Sequence, residues 1–198
     1  MLFKNNKLRS FRAVRAMRAM RTMALHALCV APWLIGSVGH AQAASEYDVK
    51  AAFIFNFMRF TEWPDEVLKD NNLRLCILGR DSFGEAINAL QGRQVQKREL
   101  HIRRVASATE AQSCHAVYIA PSEEPRLATV LATFAAKSVL TLSDIERFAD
   151  KGGIIGLALV DERVRFEVNL ATARVSGLRV NSQVLKLAQR VIDGKGTP

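Results

Sequence analysis

The sequence predicts one α/β domain with a mostly parallel central sheet flanked by helices, ending in a C-terminal antiparallel hairpin and a terminal helix. Three observations support this class. Short apolar runs alternate with segments of helical periodicity from residue 47 to residue 149. Two further apolar runs, 154–160 and 163–170, are separated by two residues, which is the spacing of a β-hairpin. No internal repeat, low-complexity tract or linker interrupts residues 44–198, so we expect a single domain there.

The first predicted element is a helix from Tyr47 to Trp63. Apolar side chains recur along it at helical spacing, and Pro64 ends it. It holds five aromatic residues within eleven positions: Phe53, Phe55, Phe57, Phe60 and Trp63. This is more apolar surface than one helix face needs. We expect either a core helix that packs on the sheet, or a helix whose second face, with Phe57, Phe60 and Trp63, meets a partner protein or a second copy.

The following segments alternate between strand and helix. Strands are predicted at residues 73–79, 100–105, 114–120 and 139–142. Short helices are predicted up to Gly92 and at residues 122–136 and 143–149, and a short helix or a turn at residues 106–113. The two hairpin strands then meet at Asp161-Glu162, and a break at Gly177 precedes a terminal helix from Ser182 to Ile192.

The first 43 residues have the pattern of a secretory signal peptide. Basic residues recur through Arg21, an apolar stretch runs from Met23 to Val38, and Ala41-Gln42-Ala43 supplies small residues for a signal peptidase. The alternative is an uncleaved membrane anchor. That apolar stretch has 16 residues, fewer than the roughly 18–20 that span a bilayer. We therefore expect cleavage after residue 43, with residues 44–198 forming a periplasmic domain.

Most of the net positive charge belongs to this leader. The whole chain has 28 Lys and Arg against 19 Asp and Glu, a formal net charge of +9. Seven of the basic residues and none of the acidic ones lie in residues 1–43, which leaves 21 basic and 19 acidic residues after it. Because the remaining domain is nearly neutral, its charge does not favour nucleic-acid binding. A hydrophobic content of 49% excludes a disordered chain.

Removal of the leader would take away Cys29 and leave an even pair, Cys76 and Cys114, in an oxidising compartment. Both cysteines lie in predicted strands. A bridge between them would close a loop of about 38 residues and stabilise the fold by roughly 3–4 kcal/mol in the chain-entropy model. It would serve either as a structural staple or as a redox sensor, and a sensor requires an exposed or strained bridge.

Catalytic and metal-binding patterns are missing from residues 44–198. The histidines there are His101 and His115, with no H-x-x-H or C-x-x-C spacing, so we expect no metal site. Neither histidine belongs to a recognisable nucleophile motif, and the carboxylates form no evident acid/base pair. We therefore expect no enzymatic activity and no cofactor, and we favour a binding or regulatory protein.

Along the second hairpin strand, side chains alternate between apolar and polar. The polar set is Arg163, Arg165, Glu167 and Asn169. Two guanidinium groups beside a carboxylate and an amide can bind a small zwitterion or a phosphate. The alternative is the solvated face of an edge hairpin, with surface ion pairs worth ~0–1 kcal/mol each.

Five motifs occur in order along residues 46–192. The predicted first helix contains Val49-Lys50-Ala51-Ala52-Phe53-Ile54-Phe55-Asn56-Phe57 and then Phe60-Thr61-Glu62-Trp63-Pro64. The four later motifs are Ile77-Leu78-Gly79-Arg80-Asp81-Ser82-Phe83-Gly84, Cys114-His115-Ala116-Val117-Tyr118-Ile119, Leu140-Thr141-Leu142-Ser143-Asp144 and Val164-Arg165-Phe166-Glu167-Val168-Asn169. Together they resemble the YfiR family of periplasmic regulators.

The resemblance implies an exported, dimeric α/β protein that represses an inner-membrane diguanylate cyclase by binding its periplasmic sensor domain. Release of the repressor, by redox stress or by an outer-membrane partner that sequesters it, would raise cyclic di-GMP and promote biofilm formation. The resemblance also implies a disulfide between Cys76 and Cys114 and a ligand site at Arg165, Glu167 and Asn169. Some family members carry a second cysteine pair where this chain has residues 144–152. This chain has none there, which argues against strong redox switching.

Two other functions are consistent with the same sequence. One is a receptor for a small anionic or zwitterionic ligand, which would pass a metabolite signal to a membrane sensor such as a histidine kinase. The other is a hydrolase on a doubly wound scaffold, whose activity would depend on His101 or His115.

Overall fold

A computed structural model of the protein describes residues 45–194. The predicted signal peptide, its cleavage site and the boundary at residue 44 therefore lie outside the described residues. Within this range the chain forms one eight-stranded sheet and a separate two-stranded sheet. In chain order the strands are β1 (Thr61–Glu62), β2 (Asn72–Leu78), β3 (Gln94–Val95), β4 (Arg98–Val105), β5 (Ala116–Ile119), β6 (Leu140–Ser143), β7 (Ile155–Val160), β8 (Arg163–Asn169), β9 (Arg179–Val180) and β10 (Arg190–Ile192).

The large sheet has the strand order β10-β8-β7-β6-β5-β2-β4-β3. The five neighbours from β4 to β7 run parallel, while β3 pairs antiparallel with β4 and β8 pairs antiparallel with β7. Because β2 lies between β4 and β5, the chain winds outward in both directions from the centre, as in doubly wound α/β folds. The predicted fold class, including the C-terminal hairpin, is confirmed.

The helices lie between the strands. They are α1 (Glu46–Arg59), α2 (Glu85–Asn88), α3 (Ala108–Ala111), α4 (Leu127–Phe134), α5 (Leu170–Val175) and α6 (Ser182–Leu187), with 3₁₀ turns at Asp65–Val67 and Pro121–Arg126. The predicted helix at 122–136 starts as a 3₁₀ turn because Pro125 has no N–H to donate. None of the helices in residues 45–194 has the length and apolar character to cross a membrane.

The first helix begins one residue earlier and ends four residues earlier than predicted. It begins with a capping box, in which the Ser45 side chain accepts from the Asp48 N–H and the Asp48 carboxylate accepts from the Ser45 N–H. It ends at Arg59 because Thr61 and Glu62 pair with β9 instead. Pro64 also disfavours helical geometry at the residue before it.

One other predicted helix is wrong, and the predicted terminal helix is present but shorter. Residues 144–149 form bends and turns after β6, and the Ser143 hydroxyl donates to Ile119 O and accepts from the Ile145 N–H. The terminal helix ends at Leu187 rather than at Ile192, because Arg190–Ile192 form β10 and pair in parallel with Glu167–Asn169. Tertiary pairing of the β-branched residues at positions 191 and 192 overrides the apolar periodicity of the segment.

Apolar clusters cover both faces of the sheet, because successive side chains of a strand point to opposite faces. On β2, Leu75 belongs to the cluster beneath α1, whereas Cys76 belongs to the cluster beneath α4. Ile54 of α1 and Phe134 of α4 are fully or almost fully buried in these clusters. Burial of each such side chain contributes roughly 1.5–3 kcal/mol, so both helices are held mainly by packing.

Candidate functional site

The β7–β8 hairpin carries the polar side chains that the sequence predicted on β8. It also exposes apolar side chains at its tip. Its two turn residues, Asp161 and Glu162, have positive φ angles of 49° and 58°. This is the geometry of a two-residue type I′ turn, which Asn-Gly fits better than two acidic residues do. The closing pair is Val160 opposite Arg163, as predicted. The turn therefore projects two carboxylates beyond the end of the sheet.

The hairpin tip presents exposed apolar side chains. Leu159 is 51% exposed and Val160 is 36% exposed. A groove of about 440 Å³ lies between this tip and the first turns of α1, lined by Glu46, Val49, Leu159, Glu162, Arg163 and Val164. We call these six residues the tip groove. An apolar floor with acidic and basic residues at its rim is the composition of a protein-binding surface rather than of a catalytic site.

The three predicted ligand residues, Arg165, Glu167 and Asn169, have different environments on β8. Arg165 is exposed and forms no ion pair within residues 45–194. Asn169 is buried, with its amide donating to Ala149 O at 2.9 Å and its oxygen accepting from the Thr172 N–H at 2.9 Å. It acts as the N-cap of α5. Both polar ends of the Asn169 side chain are thus already hydrogen-bonded within the fold.

Glu167 belongs to a charge network that the sequence did not indicate. Arg190 of β10 donates two hydrogen bonds to Glu167, at 3.0 and 2.7 Å, and two to Asp150, at 2.7 and 2.8 Å. The hydrogen bonds from Arg190, followed by the weaker one from Arg147, lower the pKa of Asp150 to about 2. Asp150 and then Glu167 raise the pKa of Arg190. These charge-assisted hydrogen bonds tie β10 to β8 and to the turn that precedes β7.

A cavity of about 390 Å³ lies beside this network. It is bounded by the 144–148 turns, by residues 156–160 of β7, and by Glu167 and Gln189. Gly156 contributes to its floor, and a Cβ at this position would meet Ala149 N at 3.4 Å. The cavity has room for a small metabolite and has polar groups on its walls.

The aromatic residues of the predicted interface are mainly core residues. Phe57 is buried, with its ring centroid 4.9 Å from that of Phe166. Trp63 is also buried, and its indole Nε1 donates to His115 O at 3.0 Å. Phe60 is partly exposed, and the Arg59 guanidinium lies 5.5 Å from its ring. An interface through these residues stays a prediction, and in this conformation Phe60 is the one whose ring reaches solvent.

Cys76 and Cys114 form a disulfide, with their Cα atoms 6.0 Å apart. The bridge joins the middle of β2 to the residue two positions before β5. Both cysteines are buried. Burial shields the sulfur atoms from solvent thiols and therefore favours the structural staple over the redox sensor.

A buried charge cluster links α1 to the sheet. Lys50 is 3% exposed, and its Nζ lies 2.5 Å from carboxylate oxygens of Asp144 and Glu46. The other oxygen of Asp144 accepts a short hydrogen bond from the Tyr118 hydroxyl. Burial alone would lower the pKa of Lys50, but the hydrogen bonds and charges of Asp144 and Glu46 together raise it. Burial, followed by the Asp144 charge, raises the pKa of Tyr118.

Sequence reasoning missed the partners in both charge clusters. Lys50 and Asp144 are 94 positions apart, and Arg190 lies 40 positions from Asp150. A lysine within an apolar helix was the available signal for the first cluster. The second had no signal, because Arg190 was placed on a helix that is in fact a strand.

Known proteins resemble this chain in sequence and in fold. A sequence profile of a family described as YfiR/HmsC-like matches residues 47–189. The chain is also similar to the crystal structure of a conserved domain protein from Vibrio cholerae O1 biovar El Tor strain N16961, with 9% sequence identity and a TM-score of 0.51. That match covers 74% of this chain and 60% of the other, so this chain spans less than two-thirds of that protein.

A second solved structure is the ABC domain in complex with L-Trp from Streptococcus pneumonia. It is 13% identical, with a TM-score of 0.47, and the match covers 70% of this chain and 60% of that chain. At 9% identity, the likeness to the Vibrio cholerae structure concerns the fold alone.

Proposed function

Because the chain belongs to the YfiR/HmsC-like family, whose members are periplasmic regulators of cyclic di-GMP signalling, we propose that it represses an inner-membrane diguanylate cyclase by binding the periplasmic sensor domain of that cyclase. Repression would lower cyclic di-GMP and biofilm formation. Members of this family are regulators rather than enzymes. A binding protein of this kind needs a surface of suitable chemistry and no catalytic residues.

Repression by binding requires a difference in affinity between two states of the cyclase. A protein that binds the inactive state of the sensor domain more tightly shifts the equilibrium toward that state, and it can do so only by the ratio of the two affinities. Moving a cyclase from 1:99 to 99:1 in favour of the inactive state requires a ratio of about 10⁴. The binding surface must therefore recognise the shape of one state and not merely its charge.

The family match carries the proposal of repression, and the tip groove is the feature of the structure that best suits its binding surface. Leu159 and Val160 are exposed on a rigid hairpin, beside an apolar groove whose rim carries both signs of charge. Exposed apolar side chains surrounded by polar ones are typical of protein interfaces. We assign this surface to the sensor domain, with Leu159 as its central apolar contact.

We also propose that the protein is a homodimer in the periplasm, and that an outer-membrane partner can sequester it. The family supports a protein partner in this signalling pathway. Light scattering on the exported protein tests the dimer directly, since a monomer at micromolar concentration would contradict it.

The cellular experiment is to measure cyclic di-GMP in the source bacterium with the gene deleted and then restored. Deletion should raise cyclic di-GMP, and a copy with its leader should reverse the rise. A copy without residues 1–43 should not reverse it, because it would stay in the cytoplasm. Unchanged cyclic di-GMP on deletion would contradict repression of a cyclase.

Two variants test the tip groove itself. Leu159→Glu places a carboxylate in the proposed interface and should abolish repression. Val175→Glu is the matched control, because Val175 is 71% exposed and lies in α5, which follows the opposite end of β8. It should repress normally. Equal behaviour of two folded variants would remove the tip groove from the proposal while leaving repression untouched.

A second candidate function is a small-ligand receptor that signals to a membrane sensor. The cavity beside Glu167 favours it, since the cavity size suits a metabolite and Arg165 is exposed on the same strand. A ligand at 100 times its Kd should raise the free energy of unfolding by about 2.7 kcal/mol. Thermal melting against amino acids and nucleotides measures this effect, and Arg165→Ala should remove it. No shift with any of them would count against the receptor.

A further inference from the structure

His115 is a buried histidine whose two ring nitrogens are both hydrogen-bonded to the backbone. The residue is 3% exposed. Its Nδ1 accepts from the Arg74 N–H at 3.0 Å, and its Nε2 lies 3.1 Å from Val67 O. A carbonyl oxygen can only accept, so Nε2 must carry the hydrogen. The neutral ring with hydrogen on Nε2 is therefore the one form that satisfies both partners.

The two hydrogen bonds join different parts of the fold. Arg74 belongs to β2, whereas Val67 belongs to the 3₁₀ turn that follows Trp63. His115 thus ties residues 64–71, which we call the entry segment, to the amino-terminal edge of the sheet. The backbone of His115 makes two further hydrogen bonds. Its N–H donates to Arg74 O at 2.9 Å, and its carbonyl accepts from the indole of Trp63, the residue just before the entry segment, at 3.0 Å.

Charged groups surround the ring from several elements. Asp70 of the entry segment, Arg74 of β2 and Arg98 of β4 are the nearest electrostatic influences. A polar cavity of about 530 Å³ adjoins the ring, and its walls also carry Glu66, Lys69 and Lys137. Burial is the largest effect and lowers the pKa of His115, and the Arg74 and Arg98 charges act in the same direction. The Val67 carbonyl and the Asp70 charge oppose it without reversing it.

Protonation is incompatible with this geometry. A proton added to Nδ1 would face the Arg74 N–H, so two donors would meet at 3.0 Å and one of them would be left without an acceptor. Because Arg74 belongs to β2, only departure of the ring from its place relieves this clash, and the Nε2 hydrogen bond to Val67 O is lost with it. The buried position gives an imidazolium no carboxylate within hydrogen-bond distance in residues 45–194.

We propose that His115 is a pH-sensitive latch, whose protonation in mildly acidic medium releases the entry segment from the amino-terminal edge of the sheet. The inference does not depend on the proposed repressor function. Below pH 6.5, the ordinary pKa of histidine, the equilibrium constant for opening should rise about tenfold per pH unit until His115 itself titrates in the closed state.

Trp63 provides the readout. Its ring centroid lies 6.4 Å from that of His115. The other tryptophan, Trp33, falls in the predicted leader, so exported and processed protein reports on Trp63 alone. If the leader is retained, the substitution Trp33→Phe leaves Trp63 as the one tryptophan that contributes to the fluorescence. Fluorescence is recorded between pH 8 and pH 5, with circular dichroism to establish that the protein remains folded.

His101 is the matched control, because it is the other histidine in residues 44–198 and its side chain is 38% exposed. The wild type and His101→Gln should both show a reversible, one-proton change in Trp63 fluorescence with a midpoint below pH 6.5. His115→Gln should show none. A transition that persists in His115→Gln, or that disappears in His101→Gln, overturns the proposal, as does flat fluorescence in the wild type.

If His115→Gln does not fold, a second measurement tests whether protonation of His115 opens the latch. In His101→Gln, the His115 ring is followed by NMR while hydrogen exchange of the Arg74 amide is measured in parallel. The latch predicts that the ring titrates and the amide loses protection at the same pH. A ring that titrates while the Arg74 amide stays protected contradicts it, and so does a ring that remains neutral down to pH 5.

Discussion

Replacing Lys50 by methionine should destabilise the domain severely. The change keeps most of the side-chain volume but removes the ammonium from a site where it is 3% exposed. Asp144, whose side chain is 9% exposed, would keep the Tyr118 hydroxyl as its partner but lose its counter-charge. Breaking a buried ion pair by removing one partner costs about 3–5 kcal/mol, because the remaining charge stays in a poorly solvated place.

Asp144→Asn should cost less than Lys50→Met. The ammonium of Lys50 would still have Glu46 at 2.5 Å, and the Glu46 side chain is 37% exposed and therefore partly hydrated. The asparagine oxygen can also still accept from Tyr118. The double substitution, Lys50→Met with Asp144→Asn, should recover part of the loss, because it leaves no isolated buried charge.

The assay is urea unfolding followed by Trp63 fluorescence. For a slope of about 2 kcal/mol/M, a loss of 3–5 kcal/mol moves the midpoint about 2 M lower. Lys151→Met is the control, since Lys151 and Glu124 form a surface pair at 2.8 Å. Exposed pairs contribute about 0–1 kcal/mol. The reasoning is refuted if Lys50→Met loses no more stability than Lys151→Met, or if Asp144→Asn is the more damaging change.

Three further outcomes are expected. The raised pKa of Tyr118 means that the folded state holds a proton which the unfolded state releases above pH 10.0, so the contribution of Tyr118 to stability should be constant below that pH and fall above it. Alkaline unfolding of the wild type and of Tyr118→Phe measures this, and an unchanged alkaline limb would contradict it. Replacing Asp161-Glu162 by Asn-Gly should stabilise the domain by roughly 1 kcal/mol, because both positions have positive φ; a lower melting temperature would argue against the turn geometry. Replacing Cys76 and Cys114 by alanine should cost roughly 3–4 kcal/mol in urea unfolding, given a sequence separation of 38, and a loss below 1 kcal/mol would mean that the bridge contributes little.

The parts of the fold that could be predicted are those specified by neighbouring residues. The central strand around Leu75 is a continuous apolar run, which is typical of a strand buried on both faces. The hairpin at Asp161 follows from two alternating segments separated by two residues. The pairing of Cys76 with Cys114 needed no geometry, because residues 44–198 contain no other cysteine.

The parts that could not be predicted depend on distant residues. Apolar periodicity continues from Val184 to Ile192, and only the edge of β8 turns its last three residues into a strand. Trp63 also depends on distant residues. Apolar periodicity alone assigns it to a helix, whereas in the structure it lies outside the helix and donates a hydrogen bond to His115 O. The candidate site was therefore half predictable. The hairpin was visible in the sequence, while its contacts with α1 and with Arg190 were not.

The contact between Phe57 and Phe166 has a consequence for synthesis of the protein. Phe166 follows Phe57 by 109 residues, so at about 5–20 residues per second the aromatic face of α1 is made roughly 5–20 s before its cover exists. During that interval the nascent chain exposes the part of the aromatic face of α1 that Phe166 later covers. A holding chaperone that binds this face during synthesis should therefore raise the yield of folded protein.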